Sequence, residues 1–155
     1  SLEVLTCPDG AAQREAWLFD SVAAMMNNPD KPRSRLKARR GVIAPVATAD
    51  LNNDGYLDAV AVELYDGWES DGALHVLEND GAGKLTIAKT YNLSFGLMDS
   101  TAYEIGPMAA VADIDADGRL DVAVSDGGAR VMLFANRASG DRPWVCITLT
   151  GKRSN

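Results

Sequence analysis

The chain is 155 residues long, 46% apolar and 24% charged, with a formal net charge of −7. That is enough material for one ordinary globular core, and the acidic balance argues against a general nucleic-acid binder while suiting a protein that loads cations. No apolar run approaches the ~20 residues of a membrane span. The single histidine, His75, nearly removes zinc sites and Ser-His or Cys-His catalysis from consideration. Only Cys7 and Cys146 are present, and a bridge, a pair with another chain and two free thiols all stay open. No signal peptide is evident, which leaves either a mature chain or a piece cut from a longer one.

Residues 1–41 form a first segment. Across 11–26, Leu18, Val22, Met25 and Met26 fall at helical spacing, Trp17 and Phe19 widen the stripe, and Asp9 is placed to cap the start, so a helix packed on its own domain is expected. Asn27-Asn28-Pro29-Asp30 ends it. The following run holds Lys31, Arg33, Arg35, Lys37, Arg39 and Arg40. No aromatic residues interleave it as a single-strand-binding surface would want, and it reads as a solvated linker.

From residue 42 the pattern changes to short, β-branched, alternating runs. Strands are expected at 42–49, 59–64, 73–78 and 85–93, with Asn79-Asp80-Gly81 as a turn and a Trp68-bearing loop at 66–72. The series then repeats at 107–112, 122–125, 129–135 and 144–150. Two nine-residue loops punctuate it: Asp50-Leu51-Asn52-Asn53-Asp54-Gly55-Tyr56-Leu57-Asp58 and Asp113-Ile114-Asp115-Ala116-Asp117-Gly118-Arg119-Leu120-Asp121. Asp113 lies 63 positions after Asp50, whereas Asn136 lies 57 after Asn79. The difference is an insertion in the Trp68 loop of the first copy. Two units of about 60 residues with four strands each have the size and make-up of propeller blades, so the expected fold is all-β: two blades of a partial β-propeller (42–98 and 99–155) preceded by a helical or irregular segment.

In both loops, oxygen-bearing side chains stand at positions 1, 3, 5 and 9 and glycine at 6. Calcium takes 6–8 oxygens at about 2.3–2.6 Å, and glycine lets such a loop bend sharply. The expected ligands are Asp50, Asn52, Asp54, Asp58 and the Tyr56 carbonyl in the first loop. In the second they are Asp113, Asp115, Asp117, Asp121 and the Arg119 carbonyl. An EF-hand would need a bidentate glutamate at position 12 and flanking helices; Ala61 and Val124 stand there instead, between strand-like runs. Two calcium sites are therefore expected. By charge count, four carboxylates against three, the second is expected to be the tighter.

The segments 47–58 and 110–121, with the following strands 74–79 and 131–136, resemble the FG-GAP/VCBS repeats, the calcium-loop blades of integrin-α-type β-propellers. The strict Phe-Gly…Gly-Ala-Pro signature is absent, which places the chain nearer VCBS. Residues 144–155 resemble the opening of the ASPIC/UnbV segment that follows such repeats in secreted CRTAC-like proteins. The resemblance implies calcium held by loop positions 1, 3, 5, 7 and 9 at one face of a propeller.

The reading that follows is a non-catalytic, calcium-stabilised adhesion or assembly module, placed outside the cell, at its surface or in the periplasm, where calcium is millimolar. The alternative is an accessory carbohydrate-binding module of a secreted enzyme, with Trp68 stacking on sugar. Partners are a protein or copies of the chain itself, because two blades leave an apolar face at each end. Val60, Val62, Val76, Val122, Val124 and Val131 lie in the strands that would line such faces, and residues 1–41 are placed to cap one of them. His75 reads as a packing or surface residue, and Asn92-Leu93-Ser94 is a glycosylation sequon.

Overall fold

The computed structural model describes residues 4–6, 15–19, 22–38, 41–65, 71–95, 108–125 and 130–138. The strand expectations at 144–150, the Trp68 loop, both cysteines and the cap at Asp9 lie outside these residues. Ten strands and one short helix are formed among them: β1 (Val4–Thr6), β2 (Glu15–Phe19), α1 (Val22–Asn27), β3 (Ser34–Lys37), β4 (Gly41–Ala49), β5 (Asp58–Tyr65), β6 (Asp71–Asn79), β7 (Leu85–Ser94), β8 (Met108–Ala112), β9 (Asp121–Ser125) and β10 (Val131–Phe134). They make three antiparallel sheets, ordered β1-β2-β3, β4-β5-β6-β7 and β8-β9-β10.

The four-stranded meander is the first repeat. β5 lies inside it, and the six residues from Asp58 to Glu63 are all buried. Period-2 alternation divides this sheet into two apolar faces. One face carries Val60, Val62, Leu74 and Leu93 and packs against Val122 and Val124 of the second sheet, with Met132 and Phe134 at its margin. The other carries Ile43, Ala59, Ala61 and Leu77 and is covered by Leu36 and Ala38.

The two sheets stack head to tail. Val122, Val124, Met132 and Phe134, which face the first sheet, occupy the repeat positions of Ala59, Ala61, His75 and Leu77 on the far face of that sheet. The outward positions of the second sheet, Ala110, Ala123, Val131 and Leu133, correspond in turn to Ala47, Val60, Leu74 and Val76, which the second sheet covers. Each repeat thus buries one face of its neighbour with the opposite face of its own, an arrangement that does not close on itself after two units. The outward face is open at its end: Met108, Val131 and Leu133 are 57%, 64% and 63% exposed. Of the valines expected to line such faces, Val60, Val62, Val122 and Val124 are instead buried between the sheets.

The N-terminal segment departs from the expected helix and linker. Residues 15–19 are strand, paired with Val4–Thr6 on one side and with Ser34–Lys37 on the other, and only Val22–Asn27 is helical. A helical stripe in sequence was overridden by tertiary pairing, which suits aromatic Trp17 and Phe19 better than a helix does. Within the basic run, Ser34–Lys37 is correspondingly a strand rather than part of a free linker. Arg35 stacks over Trp17 at 4.7 Å and donates to the Asp30 carbonyl at 2.9 Å, Lys37 meets Glu15 at 3.4 Å, and Arg33 donates to the Ala82 carbonyl. Leu36 and Ala38, between these charges, lie on the first repeat and close the face that the second repeat does not reach.

Beneath that covering segment, Glu63 is 0% and His75 2% exposed. His75 Nε2 is 2.8 Å from Glu63 Oε2, and its Nδ1 is 3.0 Å from Thr90 Oγ1. His75 is therefore a packed, fully hydrogen-bonded residue of the sheet, as buried polar groups require.

Candidate metal centre

Both acid loops connect the first and second strands of their sheets, and they share most of their side-chain-to-backbone bonds. In the first, Asp50 accepts the N–H groups of Asp54 (2.9 Å) and Gly55 (2.8 Å), and Asp54 Oδ1 accepts that of Tyr56 (2.8 Å). In the second, Asp113 accepts from Asp117 (3.1 Å) and Gly118 (3.0 Å), and Asp117 Oδ1 from Arg119 (2.9 Å). Such side-chain-to-backbone bonds are what Asp at these spacings offers a turn. The backbone enters the left-handed region twice per loop, at positions 4 and 6: Asn53 (φ 56°) and Gly55 (φ 89°), then Ala116 (φ 59°) and Gly118 (φ 83°). Glycine takes this conformation freely and asparagine tolerates it; alanine is strained there.

Position 9 plays a different part from positions 1, 3 and 5. Asp58 Oδ2 accepts the Leu51 N–H at 3.0 Å and its Oδ1 the Asn79 N–H at 2.9 Å. Asp121 does the same with Ile114 (3.1 Å) and Asn136 (2.7 Å). Each carboxylate thereby ties the start of its loop to the end of the third strand. Asn79 and Asn136 return the tie, donating to the Leu57 carbonyl (3.0 Å) and the Leu120 carbonyl (3.2 Å). Asn79 Oδ1 also accepts from Gly81 and Gly83, and Asn136 Oδ1 from Ala138. The Tyr56 ring lies so close to Gly81 that a Cβ there would come within 2.8 Å of it.

These asparagines are the site residues that sequence reasoning passed over. Their signal was visible: each stands at or just past the end of the third strand of its repeat. Asn136 also joins the two loops, donating to the Leu51 carbonyl at 2.7 Å, and Asn53 donates back to the Gly118 carbonyl at 3.4 Å.

The two position-9 aspartates sit in different fields. Burial raises the Asp58 pKa, opposed by its two backbone donors and reinforced by the charges of Asp54 and Asp50. The Asp121 pKa is lowered, first by the Asn136 N–H against the cost of burial, then by the Ile114 N–H and the Arg137 charge.

The oxygens of Asp113, Asp115 and Asp117 lie within 4.8 Å of one another. Oxygens on one calcium ion are at most about 5 Å apart, twice a bond length, so this trio fits a shared hard cation, and the donor set is oxygen throughout. In the first loop Asn52 replaces one of the three acids; its Oδ1 and Asp50 Oδ1 both accept the Asp54 N–H, which brings them together in the same way. Asp58 and Asp121 turn their oxygens to backbone N–H groups, those of Leu51 and Asn79 and those of Ile114 and Asn136.

An antiparallel all-β chain with a duplicated Asp/Asn/Gly loop between the first two strands of each sheet defines a repeat protein of the acid-loop blade type. Residues 50–124 match the family model of the FG-GAP-like repeat; this supports the FG-GAP repeat family for that part of the chain and a β-propeller-like module. None of the curated proteins and none of the solved structures matches the chain. The ASPIC/UnbV resemblance concerned residues 144–155, and the sugar-stacking role concerned Trp68; these lie outside the described residues. No helix among the described residues is long and apolar enough to cross a membrane.

Ala116 provides a direct check on the shared loop geometry. Ala116→Asn, which copies Asn53, should stabilise the chain by about 0.5–1 kcal/mol, a rise in melting temperature of roughly 1–4 °C. An unchanged or lowered melting temperature would show that position 116 does not hold the left-handed conformation.

Proposed function

We propose that this chain is a calcium-stabilised, non-catalytic assembly module of β-propeller type that works outside the cell. The observation that carries the reading is the shared hydrogen-bond skeleton of the two loops. It presents side-chain oxygens of Asp50, Asn52 and Asp54, and of Asp113, Asp115 and Asp117, around bends formed by two left-handed residues. The Tyr56 and Arg119 carbonyls and the outer lone pairs of Asp58 and Asp121 are the further oxygens available to complete each shell. Calcium bound there would offset the mutual repulsion of the carboxylates and link metal binding to folding. Millimolar extracellular calcium suits exposed loops with three or four acids, and the burial of His75 among Glu63 and Thr90 supports a non-catalytic role.

Calcium should therefore act on stability. A ligand bound only by the folded state contributes about 2.7 kcal/mol at a hundredfold excess over its Kd, or roughly 5–10 °C for a chain of this size. Melting in millimolar calcium against excess chelator measures it, and Asp54→Asn and Asp117→Asn should each reduce the difference. A melting temperature indifferent to calcium would remove the metal from the reading.

The partner is a second copy of this chain, docked through the open face of Met108, Ala110, Val131 and Leu133. That face continues the head-to-tail interface already buried once within the molecule, and the opposite end is covered by Leu36 and Ala38. Two copies pair open end to open end as a closed dimer, an isologous contact unlike the head-to-tail one within the chain. Sedimentation at micromolar concentration should find a dimer that Leu133→Glu dissociates. A monomer across the concentration range, with or without the substitution, contradicts the pairing.

A further inference from the structure

The loops share a skeleton but differ in what stands over it. Arg137 Nη1 lies 3.1 Å from Asp115 Oδ2 and 3.3 Å from Asp117 Oδ2. Arg119 donates from Nε to the Asn136 carbonyl at 2.9 Å and pairs through Nη2 with Asp117 Oδ2. The repeat register puts Tyr56 at the place of Arg119 and Asp80 at the place of Arg137 in the first loop. Asp80 turns its carboxylate to the N–H groups of Ala82 and Lys84. Among the described residues, no ion pair reaches Asp50, Asp54 or Asp58. The second loop thus combines four carboxylates with two guanidinium groups, and the first has three carboxylates with none. With the guanidinium groups counted, the second loop carries a net charge of −2 against −3 at the first.

Resting on the calcium reading above, we infer that Arg137 is a built-in competitor for the cation at the second loop, so that the first loop is the tighter site and fills first. The guanidinium holds oxygens of Asp115 and Asp117, two of the three acids that converge within 4.8 Å. A cation entering the trio therefore shares Asp115 and Asp117 with the guanidinium. Displacement of the guanidinium is within reach because the Arg137 side chain is 66% exposed, and exposed ion pairs are weak and screened by salt. Arg137 also borders a cleft of about 500 Å³ between the two sheets, which Glu78 lines as well. Arg119 is placed differently: anchored on the Asn136 carbonyl and half-buried, it stays with the loop and lowers the charge the site presents. The device makes calcium loading stepwise: the first loop is filled at lower calcium, and the second only where calcium is abundant enough to expel Arg137.

Calorimetric titration of the full chain with calcium chloride tests this, comparing the natural sequence with Arg137→Gln. Removing one charge and two weak pairs should tighten the second site by about three- to twentyfold and leave the first within twofold. Asp54→Asn and Asp117→Asn identify which heat belongs to which loop. As an independent readout, the Arg137 Nε–H resonance should shift on saturation of the second site and stay put while only the first fills. If Arg137→Gln leaves the second-site affinity unchanged while Asp117→Asn abolishes it, the competition is overturned and the calcium reading survives. If no calcium heat is lost in Asp117→Asn, both are overturned.

Discussion

The structure depends on a buried aspartate used twice. Asp58 and Asp121 each accept backbone N–H groups from segments distant in sequence: one from the loop that precedes the strand, one from the asparagine at or just past the end of the following strand. A carboxylate taken out of water costs several kcal/mol unless its lone pairs are met. Meeting them here forces the loop to curl back over its own strand. The curl sets the left-handed residues at positions 4 and 6 and turns positions 1, 3 and 5 inward. Loop geometry, acid convergence and strand register follow from one satisfied buried charge.

The same tie explains how the repeats associate. Asn136 answers Asp121 within its own repeat and the Leu51 carbonyl of the other, so the loop clamp of one sheet is also a contact to its neighbour. Below it, head-to-tail packing buries Val60, Val62, Leu74, Val122 and Val124. A heterologous contact leaves one complementary face at each end of a stack. The N-terminal strand covers one through Leu36 and Ala38; the other retains exposed Val131 and Leu133. Among the described residues the stack is polar: covered at its first repeat and exposed at its second.

Much of this was legible in the sequence where local rules govern. The described strands of both repeats were expected close to where they lie, because alternation of β-branched residues and Asp/Asn/Gly punctuation act over a few residues. The loop residues were likewise visible as an oxygen pattern, and the repeat as an offset. What escaped were the consequences of non-local pairing. The 11–26 stripe reads as a helix, yet residues 15–19 find strand partners on both sides and only Val22–Asn27 coils. The basic run reads as solvated, yet alternation places Leu36 and Ala38 inward and the charges outward. Charge counting along the loop gave the second site the advantage, yet Arg119 from within it and Arg137 from beyond the next strand return to its aspartates.

The central claim, that two equivalent loops present converging oxygens to calcium, is tested most directly by following backbone amide resonances during a calcium titration. The expected result is saturating shifts concentrated at Asp54, Gly55 and Tyr56 and at Asp117, Gly118 and Arg119, whose N–H groups donate to the aspartates of the trios. Shifts that spread over the acidic surface without saturating, or that leave both loops unmoved, would contradict it.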